Sequence, residues 1–154
     1  MSISAAEVNK LRQETGAGLM DCKKALVETN GDFEAAIDFL RKKGAKIAAN
    51  RAEREANEGL VIALTSEDNT YGILLNLSSE TDFVAKNEDF IALAKEIAEL
   101  ALNTRPEDAS ALNATPFKNS TVANVLLDTV AKIGKKIEVK KFEALSGKGL
   151  VPYI

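Results

Sequence analysis

Gly59-Leu60-Val61-Ile62-Ala63-Leu64-Thr65, then a polar break at Glu67-Asp68-Asn69, then Tyr71-Gly72-Ile73-Leu74-Leu75-Asn76-Leu77: these residues decide the fold class. Each apolar run is too short for a confident helix and rich in residues that suit a pleated surface. Together they read as an antiparallel hairpin with one or both faces covered. Everything on the N-terminal side carries helical periodicity instead, and amphipathic helices resume downstream. The expectation is therefore an α+β chain in which helices precede and cover a small antiparallel sheet.

Upstream, Ser4-Ala5-Ala6-Glu7 reads as a capping box opening a helix that carries Val8, Leu11 and Arg12 toward Thr15. Gly16-Ala17-Gly18 breaks it. The next pattern, Leu19 to Thr29, sets Leu19, Cys22 and Leu26 on one face, and Asn30-Gly31 stops it. Asp32 caps a third helix bearing Phe33, Ala36, Ile37 and Leu40 at helical spacing, which Gly44 is expected to end. Such a three-helix bundle is marginal alone and calls for a neighbour or a partner. Ala45 to Asn57 reads as a polar helical linker. The predicted division is a bundle with linker helix over residues 1–54 and an α+β core over residues 55–154.

Downstream of the hairpin, Asn87 caps a helix with Phe90, Leu93, Ala94, Ile97 and Ala101 on one face and Glu88 and Asp89 in the positive first turn. Asn103 to Pro116 reads as an irregular, Pro-broken excursion. Ser120 is expected to cap a helix burying Val122, Val125, Leu126, Thr129, Val130 and Ile133, ended by Gly134. Ile137 to Lys140 alternates as a third strand, and Phe142 breaks that alternation, the mark of a bulge or of the strand's end. The tail, Gly147 to Ile154, shows no element of its own.

Composition removes several function classes. The 154 residues contain no histidine and one cysteine. The commonest general base and metal ligand are thus missing, and a structural zinc site has too few ligands. Cys22 cannot form an internal disulfide and reads as a core thiol in a reducing compartment. A net charge of −3 opposes a nucleic-acid backbone as main partner. The basic residues Arg41, Lys42, Lys43, Lys46, Arg51 and Arg54 are followed directly by acidic ones and have no interleaved aromatics, so they read as a solvated helix face. No apolar run approaches the roughly 20 residues of a membrane span, and the N-terminus lacks the zones of a signal peptide; a cytoplasmic location is expected. Neither Gly16-Ala17-Gly18 nor Gly134-Lys135-Lys136 completes a nucleotide-binding fingerprint. Glu80 and Asp82, taken as alternate positions of an extended segment, would point opposite ways and make no acid–base pair. No enzyme and no cofactor are expected.

Thr81-Asp82-Phe83-Val84-Ala85-Lys86 then stands out. It joins strand to helix without glycine, proline or Asn-Gly, and it sets a carboxylate beside a large aromatic on a surface connection. Phe83 can turn inward as the first core residue of the next helix, or outward to meet a partner.

Two separated stretches carry a family resemblance. Leu11-Arg12-Gln13-Glu14-Thr15-Gly16-Ala17-Gly18-Leu19-Met20-Asp21-Cys22-Lys23-Lys24-Ala25-Leu26 resembles the first signature of bacterial translation elongation factor Ts, and Glu80-Thr81-Asp82-Phe83-Val84-Ala85-Lys86 resembles the second, in the family's order and at about its spacing. Asn76, where an acidic residue is common, and Ser78, where asparagine is common, depart from the pattern. The similarity is followed through about Leu145, and the chain corresponds to the family's N-terminal half. The resemblance implies a guanine-nucleotide exchange factor that binds GDP-bound elongation factor Tu, a GTPase, with no nucleic acid or membrane involved. It implies that Phe83 is a wedge between two helices of the GTPase domain, that Asp82 faces a helix start there, and that Val84 and Thr81 support the contact. It further implies that the N-terminal bundle is ubiquitin-associated-like and docks through Arg12, Leu19 and Met20. A protein-binding module of that kind without exchange activity is the alternative. With this second motif upstream and no catalytic chemistry in view, an outward Phe83 is the reading favoured.

Overall fold

The computed structural model describes residues 2–151 and divides into two compact units, residues 1–53 with 126–135 and residues 54–125 with 136–154. The first unit opens with three helices: α1 (Ala5–Thr15), α2 (Leu19–Glu28) and α3 (Phe33–Asn50). Their starts follow from the caps. Ser4 Oγ accepts the Glu7 N–H and Asp32 Oδ1 accepts the Ala35 N–H, each satisfying an amide that the first helical turn leaves without a partner. Gly16 leaves α1 in the left-handed conformation, at φ 70°, and its N–H closes on Arg12 O. Val8, Leu11, Ala17, Cys22, Ala25, Leu26, Ala36 and Leu40 form the core of this unit, with Phe33 and Ile37 packed half-buried against it.

The second unit is built on β1 (Glu58–Thr65), β2 (Tyr71–Ser79), α4 (Asp82–Ala85), α5 (Glu88–Thr104), α6 (Ala109–Ala114), and the two-residue strands β3 (Pro116–Phe117) and β4 (Ser120–Thr121). There follow α7 (Val122–Ile133), which runs on into the first unit's residues, and β5 (Ile137–Ser146). The hairpin forms as expected, with Leu60 opposite Leu77 and Leu64 opposite Ile73. β5 pairs antiparallel on the other side of β2, so the order is β1-β2-β5. Central β2 is buried nearly throughout, and α5 lays Phe90, Leu93, Ala94, Ile97, Ala98 and Ala101 into the core of this unit against β1 and β2. The architecture is α+β.

Five local expectations need correction. Gly44 does not end α3: the helix continues to Asn50, because residue 44 lies against the Leu127 carbonyl and the Ala131 methyl, where any side chain would collide. That leaves only the stretch after Asn50 as linker. Leu19 is half exposed rather than part of the core stripe, since it occupies the first position of α2, where only Cys22, Ala25 and Leu26 reach the interior. The excursion before Pro116 contains α6, capped by Asp108 Oδ1 on the Ala111 N–H and anchored by fully buried Leu112. Thr121, not Ser120, caps α7, its Oγ1 accepting the Asn124 N–H. In α7, Ile133 is exposed and the buried positions are Val122, Leu126 and Val130.

Phe142 marks a bulge, one of the two possibilities. Asn76 pairs with Lys141 and Leu77 with Val139, which makes Lys140 an extra residue on β5 and returns Phe142 to the buried face. The tail is tied back by Gly147 N–H to Thr70 O and Leu150 N–H to Asn69 O; residues 152–154 of it lie outside the described residues.

Candidate functional site

The strand-to-helix connection after β2 is held from both directions. Ser78 and Ser79 are buried; Ser78 Oγ donates to Glu138 O at 3.3 Å, and Ser79 Oγ donates to Thr81 O at 3.0 Å. Glu80 N–H donates to Lys136 O, and the Glu80 carboxylate accepts the Lys136 N–H at 2.9 Å. Thr81 is still extended, at φ −131° and ψ 154°, and its hydroxyl accepts the Val84 N–H, making it the N-cap of α4. Thr81 thus holds the turn by a local bond between its side chain and the backbone. Asp82 no longer belongs to an extended segment, so the alternation argument that separated it from Glu80 does not apply. One residue after α4, Asn87 caps α5 by accepting the Asp89 and Phe90 amides. A single helical turn is thus fixed at both ends by strand and helix.

That turn exposes what a core would hide. Phe83 is 84% exposed, whereas Phe90, seven residues on, is 3% exposed. The inward orientation of Phe83 is excluded. Val84 and Thr81 are half-buried, and Asp82 is exposed, with its carboxylate 3.3 Å from Lys86 Nζ one turn later. An exposed pair of this kind contributes little to stability, so Asp82 is available for exchange onto another partner at small cost.

The other candidates lie in the first unit. Arg12 is exposed in the last turn of α1, and Leu19 and Met20 are exposed at the start of α2, Met20 at 72%. The turn between these helices is rigid: Thr15 Oγ1 donates to Leu11 O and accepts the Ala17 N–H, and Ala17 is buried. Val27, also exposed on α2, escaped the sequence reading because its periodicity alone does not tell a surface valine from a core one. Cys22 is fully enclosed, and burial pushes its thiol above the ordinary range despite the Thr15 hydroxyl beside it. Several of the basic residues of α3 have acidic partners within this unit: Arg41 forks onto both Asp128 oxygens at 3.0 and 3.1 Å, Lys43 meets Asp21 at 2.6 Å and Lys42 meets Asp38 at 3.3 Å. Among the described residues no group of three or more Cys, Asp or Glu side chains is placed to hold a metal ion, and no helix is long and apolar enough to cross a membrane.

Comparison with known proteins returns the family read from the two motifs. The family model described as Elongation factor TS matches residues 80–154. Proteins named Elongation factor Ts are similar along the chain: that of Flavobacterium psychrophilum is 50% identical over 153 residues, 99% of this chain and 55% of its own length. That of Rhodopirellula baltica is 48% identical over 99% of this chain and 46% of its own length, and that of Alkalilimnicola ehrlichii 47% identical over 97% and 51%. The similarity therefore passes Leu145 and reaches essentially the whole chain, which spans about half the length of the curated relatives it matches.

Proposed function

We propose that this chain, similar to elongation factor Ts along 99% of its own length, acts as a guanine-nucleotide exchange factor: it binds GDP-bound elongation factor Tu and speeds release of the GDP during translation elongation. One observation carries the reading, the 84% exposure of Phe83 within the capped turn Thr81-Asp82-Phe83-Val84. Exposing such a ring forgoes its burial, which is worth roughly 1.5 to 3 kcal/mol, so a partner that covers it recovers that energy.

The mechanism makes and breaks no bond. Phe83 inserts between two helices of the GTPase domain, and their displacement loosens the phosphate loop and Mg²⁺ that hold GDP. By linkage, the factor weakens GDP as strongly as GDP weakens the factor. Asp82 exchanges its exposed Lys86 for the unpaired amides at a helix start of the GTPase, while half-buried Val84 extends the apolar contact and Thr81 holds the turn. Residues 1–54 serve as a ubiquitin-associated-like docking module that meets a different helix through Arg12, Leu19 and Met20, and residues 55–154 carry the wedge. The reading calls for no cofactor, nucleic acid or membrane, and it places the chain in the cytoplasm, where translation runs.

A second reading, a protein-binding module without exchange activity, is favoured by the three exposed apolar side chains Leu19, Met20 and Val27 on α2. Release of fluorescent GDP from elongation factor Tu separates the two. Stimulation by the wild-type chain that is lost in Phe83→Ala supports exchange; binding without stimulation supports the module.

A further inference from the structure

We propose that Glu80 is a positioning residue for the Phe83 wedge, an inference that rests on the exchange reading above. β2 and β5 pair up to Ser79 opposite Ile137, and the next pair in register is Glu80 with Lys136. There the ladder is completed on one side only by main chain: Glu80 N–H donates to Lys136 O at 3.3 Å. On the other side the Lys136 N–H is taken at 2.9 Å by the Glu80 carboxylate, standing where a continued ladder would use a main-chain carbonyl. The side chain thus closes the sheet while the backbone is released to turn. Thr81 begins the cap of α4 one residue later, and Phe83 follows on that turn.

The far side of the clamp is itself fixed. The Lys136 ammonium donates to Arg54 O at 3.2 Å and lies 3.6 Å from a Glu138 carboxylate oxygen, with its side chain 16% exposed. Ser79 Oγ on Thr81 O and Thr81 Oγ1 on the Val84 N–H then carry this anchor to the wedge. A wedge works only if the load it meets displaces the partner rather than itself, and Glu80 is the link that ties the turn to the sheet. The position of a charged acceptor on a backbone donor makes this the strongest class of bond in the connection.

The test measures stopped-flow release of fluorescent GDP from elongation factor Tu with the wild-type chain and with Glu80→Ala, Glu80→Asp, Glu80→Gln and Phe83→Ala, with a thermal melt of each. Glutamine keeps the reach and an acceptor oxygen but not the charge; aspartate keeps the charge but withdraws the oxygen by one methylene. The expected result is a loss of about tenfold in the apparent second-order rate for alanine and aspartate, the size of one charged hydrogen bond, with glutamine within about threefold of wild type. Aspartate and glutamine are polar replacements expected to keep the fold, which the melts check, so the contrast survives an unstable alanine variant. Wild-type rates for alanine and aspartate beside an impaired Phe83→Ala would overturn the positioning role and leave the exchange reading intact. A wild-type rate for aspartate beside an impaired glutamine would also overturn it, because charge rather than the Lys136 bond would then be at work. A wild-type rate for Phe83→Ala would overturn the exchange reading and this inference with it.

Discussion

Replacing Phe83 with alanine removes a ring that contributes almost nothing to the free fold. Because 84% of the residue faces water, about that share of a full Phe burial remains to be gained on a partner, roughly 1.3 to 2.5 kcal/mol. That range corresponds to a loss of roughly 10- to 70-fold in affinity for the GTPase or in the exchange rate at subsaturating factor. The thermal midpoint should stay nearly still, since surface substitutions usually fall within about 0.5 kcal/mol and alanine suits a helical turn at least as well as phenylalanine. Phe90 is the internal control: 3% exposed under the sheet, its alanine variant should lose about 3–5 kcal/mol of stability. Titration of fluorescent GDP release alongside melts of both variants gives the answer. A Phe83→Ala chain that stimulates release as well as wild type, or that melts as early as Phe90→Ala, refutes the reasoning.

Gly44→Ala should destabilise the chain by about 1–2 kcal/mol in a urea titration, because overpacking against the Leu127 carbonyl outweighs the helix-propensity gain of about 1 kcal/mol; a stabilised variant would contradict the close approach. Asp68 is held at about 2, first by the Ser66 hydroxyl, then by the Thr70 hydroxyl and N–H, all on one carboxylate oxygen. Its folded value lies below the unfolded one, so its support of the hairpin turn is full above about pH 4 and fades as pH falls toward 2; a carboxyl NMR titration with a midpoint near 4 would contradict this. Cys22, enclosed and shifted upward chiefly by burial, should react with a thiol reagent more than about a hundredfold more slowly in the folded chain than in denaturant, and fast labelling of the native chain would count against its burial.

What was legible in the sequence was whatever is decided locally. Ser4, Asp32 and Asn87 cap the helices assigned to them because a cap is a bond between a side chain and an amide two or three residues away. The hairpin followed from two short apolar runs about a polar break, and the broken alternation at Phe142 pointed to a bulge or to the strand's end, of which the chain adopts the bulge. Asp108 could have been read by the same rule, since it precedes Ala109-Ser110-Ala111-Leu112, but Pro106 and the polar neighbours hid a short helix that one buried leucine anchors.

Gly44 shows where local rules stop. A glycine after a helical run is either a left-handed cap or a place where another backbone comes near, and the two look alike in sequence. Gly16 is the first kind, at φ 70°; Gly44 is the second, chosen by a helix more than eighty residues later in the chain. The turn that bears Phe83 divides the same way. An outward Phe83 follows from the second motif upstream together with the chemistry the chain lacks, yet what fixes the turn that bears it is non-local: Ser78 on Glu138 and Glu80 on Lys136 hold the exit from the sheet through β5 and the residue before it. The motif names the side chain that stands exposed, Phe83. Rigidity behind it comes from the register of β5, and only the folded chain brings that register to the turn.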